Sequence, residues 1–168
     1  MGEVRMLIDG ELAEAGSGKR FANVNPATEE VLGEVTDADA DDMTRAIGAA
    51  RRAFDRTDWS TNRALRKRCL QQLQDALVSE QEQLRQELVE ETGTPVMMTY
   101  GAQLDWPLAD ALSWPMEYID EFEWERDLPV SNQVGLPSRR GVYKEAIGVI
   151  GAIVPWNFPV EVTLNKLG

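Results

Sequence analysis

Gly148-Val149-Ile150-Gly151-Ala152-Ile153-Val154-Pro155-Trp156-Asn157-Phe158-Pro159 is the stretch that decides how this chain reads. Residues 148–154 carry no polar side chain, a composition suited to a strand buried on both faces of a parallel sheet. Pro155 and Pro159 bracket three residues and impose an extended path with few free backbone donors. Val160 to Leu167 reads as the helix that follows, with Glu161 in its first turn. Strand, tight loop and helix open a doubly wound α/β sheet, which binds ligands at the C-terminal ends of its strands. An asparagine held there can aim its amide N–H at a developing oxyanion. Trp156 and Phe158 can wall a pocket and exclude water; equally, they can pack in a purely structural connection. The strands needed to complete the sheet are not in view within these residues, so the architecture reads as unfinished.

Upstream, the first 36 residues read as short strands and turns. Met6-Leu7-Ile8 and Glu11-Leu12-Ala13 flank Asp9-Gly10, a strong hairpin signal. Gly16-Ser17-Gly18 is a loop, Phe21 to Val24 a strand that Asn25-Pro26 breaks, and Val31 to Val35 another strand. A helix is expected from about Asp39, with Met43, Ile47, Ala50 and Phe54 at helical offsets and acids at 37, 39, 41 and 42 near its positive end. Ser60 is placed as the N-cap of the next helix, whose stripe is Leu65, Cys69, Leu73 and Leu77. Leu84 and Leu88 continue that stripe beyond a bend, and Gly93 and Pro95 end it. One further helix is expected from about Asp105 to Glu125, kinked at Pro115. Leu128 to Arg140 reads as loop, and Val142-Tyr143-Lys144 as strand.

Composition narrows the chemistry. The 168 residues are 43% apolar and 27% charged, which suits a soluble globular domain. A net charge of −12 repels phosphate backbones and anionic membranes, so nucleic-acid and membrane partners are not expected. With no histidine, the commonest general base and most zinc sites are excluded, and no metal site is expected. Met1 to Arg5 shows no signal peptide, Met6 breaks the pattern for acylation at Gly2, and no window is apolar enough for a membrane span. A cytoplasmic location is the expectation. Three motifs fail on spacing or context. Asp37 to Asp42 lacks the glycine and glutamate of a calcium loop, and Gly18-Lys19 lacks the rest of a phosphate loop. The sole cysteine, Cys69, sits in an apolar stripe and reads as a small buried hydrophobe. The acids Asp120, Glu121, Glu123 and Glu125 read as a solvated helix face.

With their surroundings, these residues resemble the aldehyde dehydrogenase superfamily. Asn25-Pro26-Ala27-Thr28 is similar to its early "NPAT" turn, and Ala46 to Phe54 to its first helix. Glu91-Thr92-Gly93-Thr94-Pro95 is similar to its "ETGKP" turn, with Thr94 where lysine is usual. Residues 148–159 resemble its "GV…PWNFP" signature, and Lys166 stands at the expected distance after Asn157.

The resemblance covers essentially the whole chain. It implies an α/β fold of short β hairpins and long helices, followed by the first strand-loop-helix of an incomplete Rossmann-like parallel sheet. Residues 1–127 would belong to the cofactor-binding domain, 128–147 to a β extension used in oligomerisation, and 148–168 to the start of the dinucleotide-binding unit. The catalytic domain would lie outside the chain.

As to function, the resemblance implies oxidation of an aldehyde to a carboxylic acid with NAD or NADP, by attack of a cysteine thiolate to give a thiohemiacetal. Asn157 would supply the oxyanion hole, and Lys166 a proton relay. Ile153, Val154, Pro155, Trp156 and Asn157 would line the cofactor cleft. Phe158, Val162 and Asn165 would line the substrate tunnel, Asn165 replacing a frequent tryptophan. The family's cysteine nucleophile and glutamate base have no counterpart in this sequence, so the chain alone is expected to be inactive. A small aldehyde would be the substrate, and the full-length protein a homo-oligomer. The alternative is a non-catalytic interaction or assembly module built on the same fold.

Overall fold

The computed structural model describes residues 4–132 and 135–168. The sequence reading of Met1 to Glu3, and of Gln133 and Val134 within the 128–147 segment, lies outside them. The chain starts with two antiparallel pairs, β1 (Met6–Ile8) with β2 (Glu11–Ala13) and β3 (Arg20–Val24) with β4 (Val31–Thr36). Asp9 and Gly10 both have positive φ, 58° and 81°, the geometry of a two-residue hairpin turn matched to strand twist. In the Asn25 turn, the side-chain Oδ1 accepts from Ala27 N–H at 2.8 Å and Thr28 N–H at 3.1 Å.

Helix α1 (Ala40–Arg56) begins where the acids suggest it should. Asp39 caps it, accepting from the N–H groups of Asp41 and Asp42, and the Asp42 side chain returns to Asp39 N–H at 3.1 Å. The Asp42 carboxylate also accepts from Gly16 N–H at 3.1 Å and from Arg45 Nη2 at 2.6 Å, so it ties the Gly16 loop to the helix start. Arg45, followed by the Asp39 and Gly16 N–H groups, holds its carboxyl below the ordinary value of 3.8. Because the folded value is depressed, this stabilisation is fully present above pH 3.8 and is lost as pH falls through the folded value. Asp42→Asn should therefore lower the Tm at pH 7, and the gap to the native chain should narrow in melts run progressively below pH 3.8.

Helices α2 (Arg63–Ser79) and α3 (Gln81–Thr92) are divided at Glu80, matching the expected bend, and Gly93 closes α3 in the left-handed region. The cap of α2 is Asn62, not Ser60: its Oδ1 accepts from Leu65 N–H at 2.9 Å. Ser60 lies within the preceding turn, too far upstream to reach those donors. After the single turn α4 (Val96–Thr99) come α5 (Asp105–Asp110) and α6 (Ser113–Glu121), where one kinked helix was expected. Pro107 and Pro115 explain the division. Each falls in a first turn, where a missing N–H leaves no helical bond unmade, and the chain breaks at Ala111-Leu112 instead of kinking.

Leu88, Leu104, Leu108, Leu112, Met116 and Leu164 form the core, flanked by Leu70, Leu73, Leu77 and Leu84. Leu164 belongs to α7 (Pro159–Leu167), so the last helix is held by the same core as α5 and α6.

The 128–140 region is not a loop along its length. Strands β5 (Glu125–Ser131) and β6 (Ser138–Tyr143) form a third antiparallel pair, from Glu125 opposite Tyr143 to Ser131 opposite Ser138. Pro129 is tolerated because a two-stranded ribbon consists of edges, and the register is irregular across it, between Leu128 and Ser131. An aromatic series, Trp114, Tyr118, Phe122 and Trp124, with centroids 4.8, 5.8 and 4.6 Å apart, joins α6 to the base of this ribbon. The acids expected on one helix face are thereby divided. Asp120 on α6 pairs with Lys67, Glu123 pairs with Arg126 at 3.8 Å, and Glu125 begins β5.

Residues 148–154 depart furthest from expectation. Instead of a buried strand they run without regular pairing, with Ile150 70% and Ile153 88% exposed. A parallel strand is defined by its neighbours, and the sheets among the described residues are separate antiparallel pairs that offer it none. Gly148 enters this segment at φ 117°, a backbone conformation that side-chain-bearing residues rarely adopt.

Candidate functional site

The Pro155–Pro159 loop is fixed at one end by α7. Pro159 occupies the first helical position, where its preset φ suits helix entry, and buried Leu164 anchors the helix one turn on. The other fixed point is Gln103, in the turn between α4 and α5. Its Nε2 donates to the Asn157 carbonyl oxygen at 2.9 Å, and its own backbone N–H donates to Met98 O at 3.1 Å. Gln103 is buried, at 7% exposure, and its Oε1 is buried without a partner among the described residues. Sequence reading missed this residue.

Around this junction the candidate residues separate into two surfaces. Ile153, Val154, Pro155 and Trp156 are exposed and outside regular secondary structure, Trp156 at 80%. Their apolar faces suit the packing of a flat ring system.

The second surface is a cleft of about 680 Å³ between α5, α6 and α7. Asn165 and Glu161 line it from α7, facing Trp106, Asp110, Trp114 and Glu117, with Ala102 beside Gln103. Among the described residues no basic side chain lines it, so its carboxylates give it a negative field. Phe158 and Val162 are half-buried at the start of α7. Lys166 is exposed in the last helical turn, outside the cleft lining, where the helix dipole favours a cation. The structure thus brings Asn165 into a cleft and ties Asn157 to Gln103, but does not bring Lys166 to either.

Gly18 N–H closes a turn onto Ala15 O at 2.9 Å, as expected of a surface turn. Cys69, expected to be buried, is a free thiol only half-buried on α2, because the stripe it shares with Leu65 lies at the margin of the core. Among the described residues no cluster of potential ligands could hold a metal ion, and no helix is long and apolar enough to cross a membrane. Thr94, which departs from the resembled turn, is buried and accepts from Thr92 Oγ1 at 2.7 Å.

Comparison with known proteins bears directly on this arrangement. The NADP/NAD-dependent aldehyde dehydrogenase PuuC of Escherichia coli is 35% identical over 168 residues, covering 99% of this chain and 32% of the relative. Aminoacetaldehyde dehydrogenase of Pseudomonas aeruginosa is also 35% identical, over 98% of the chain and 32% of its own length. Among solved structures, a Mycobacterium tuberculosis aldehyde dehydrogenase complexed with NAD+ superposes with a TM-score of 0.88 at 26% identity, over 98% of this chain and 33% of that one. The chain therefore spans about a third of the length of the relatives it matches. The profile of the aldehyde dehydrogenase family matches residues 13–168, and with the hairpins, helices and Pro155–Pro159 loop described above it makes this chain a member of that family.

Proposed function

We infer that this chain supplies the oxyanion-binding loop and one wall of the cofactor and substrate clefts of an enzyme oxidising an aldehyde to a carboxylic acid. The observation that supports this most is the anchored Asn157: its carbonyl is held by Gln103 while its exposed side chain remains available. When a cysteine thiolate attacks the aldehyde carbon, the carbonyl oxygen gains negative charge, and the Asn157 amide N–H stabilises it. The cofactor, NAD or NADP, supplies a hydride acceptor when bound. Ile153, Val154, Pro155 and Trp156 pack its rings and exclude water. Phe158, Val162 and Asn165 shape the approach of the aldehyde; Lys166, exposed in the last turn of α7 and outside the cleft, would serve a relay only toward a general base supplied from outside these residues. The nucleophile and that base come from outside these residues.

The domain reading belongs to the same proposal. Residues 1–127 and 148–168 form parts of the cofactor-binding unit, and 128–147, which carries most of the β5–β6 ribbon with its two exposed edges, pairs subunits of a homo-oligomer. Joining residues 1–168 to the remaining two-thirds of the E. coli relative tests the whole reading. The fused protein should reduce NAD or NADP in the presence of a small aldehyde, and the 168-residue chain alone should not. Turnover by the chain alone, or a folded fusion without turnover, overturns it. In the latter case a monodisperse 168-residue chain points to an assembly module.

A further inference from the structure

We propose that Gln103 is the positioning residue that aims Asn157, a role resting on the assignment of Asn157 as the oxyanion donor. Among the described residues, its 2.9 Å bond to the Asn157 carbonyl is the one hydrogen bond tying segment 146–157 to the helical layer; the next residue, Phe158, is held by the first turn of α7, where its carbonyl accepts from Val162 N–H at 3.1 Å. Gly148 and Val149 are half-buried near α1, but residues 150–156 are exposed and without regular pairing, so no second hydrogen bond of this kind fixes the Asn157 peptide. Gln103 itself is fixed. It is 7% exposed, precedes the fully buried Leu104, and its backbone is bonded into the turn after α4.

Packing alone does not account for a glutamine there. Its Oε1 is buried without a partner among the described residues, and an isosteric apolar side chain would fill the same volume without that penalty. What the glutamine adds is a directed donor. A group that fixes another group's aim before charge develops contributes selectively to the transition state, because the alignment is already made when reaction begins. The loss of such a residue lowers kcat and kcat/KM together and leaves KM nearly unchanged.

Three variants test the role. Gln103→Met removes the donor at nearly constant volume. In the 168-residue chain it should speed amide exchange and broaden the Asn157 side-chain resonance over residues 153–159, leaving the core around Leu104 and Leu108 unshifted. In the fused enzyme it should lower kcat by about 10- to 100-fold at similar KM. Gln103→Glu places an acceptor against the carbonyl when ionised and restores a donor when protonated. Its kcat relative to Gln103→Met should therefore rise as pH falls, which a space-filling role would not produce. Asn157→Ala in the same fusion is the control. If it leaves kcat unchanged, the assignment of Asn157 fails. If it lowers kcat while Gln103→Met does not, the positioning role alone is overturned. Unchanged exchange over 153–159 in Gln103→Met overturns it independently of any activity.

Discussion

Asn157→Ala is expected to lower the kcat of the fused enzyme by about 10²–10³-fold, the loss seen when one oxyanion-hole donor is removed. That corresponds to about 3–4 kcal/mol of transition-state stabilisation. The structure separates this effect from folding. Asn157 is exposed, and its tie to the protein runs through the backbone carbonyl, which alanine retains. The Tm should thus stay within experimental error while kcat falls. Asn157→Asp sharpens the test, since it keeps the shape and replaces the donor with an acceptor that repels the oxyanion. It should be at least as damaging as alanine. Steady-state kinetics with one aldehyde, alongside thermal melts of the same preparations, decides the matter. Equal loss of kcat and Tm in both variants would mean that the residue supports the loop and not the reaction.

Features governed by neighbours in sequence were legible from the residues. Asp9-Gly10 forces its turn through the φ values that only such a pair adopts comfortably, and the acids around Asp39 marked the start of α1, though that Asp39 itself caps the helix emerged only from its bonds to Asp41 and Asp42 N–H. The PWNFP loop was legible for the same reason: two prolines restrict it regardless of what surrounds it. Misreadings arose where distant groups decide. Residues 148–154 have the composition of a buried strand, yet pairing requires neighbours that composition cannot supply. Pro129, tolerated on an open edge of β5, and Pro137, just before β6, disguised the β5–β6 ribbon. Gln103 bonds a residue 54 positions away, and nothing local marks it: in sequence it is one more polar residue in a turn. Trp106 and Asp110 on α5 likewise meet Asn165 across the cleft only through the packing of α5 against α7, which sequence spacing does not reveal.

The largest loss of stability is expected from Arg85→Met, on α3. The guanidinium is almost fully enclosed, with its side chain 6% exposed, and each of its faces is used. Nη1 donates to Thr99 Oγ1 at 2.9 Å, Nη2 to Asp105 Oδ1 at 2.8 Å and to Glu82 Oε1 at 3.0 Å, and its plane lies 4.0 Å from the Tyr100 ring centroid. Glu82 first, then Asp105, raises the Arg85 pKa against the burial that would lower it. Through these bonds α3 is tied at once to α4 and to the start of α5, the two elements that flank the Gln103 turn. Breaking a buried pair by removing one partner costs about 3–5 kcal/mol. Here the lower end applies, because Asp105 is 28% and Glu82 77% exposed and water can solvate both once the arginine is gone. For a chain of this length, about 3 kcal/mol is a fall in Tm of roughly 6–12 °C. Asp105→Asn should cost less than Arg85→Met, since the arginine keeps Glu82, Thr99 and Tyr100 as partners. The double variant should be less destabilised than the sum of the singles, because the second change removes a charge the first has already left unpaired. Strict additivity in that cycle would mean that the two groups stabilise the chain independently and that the α3–α5 tie lies elsewhere.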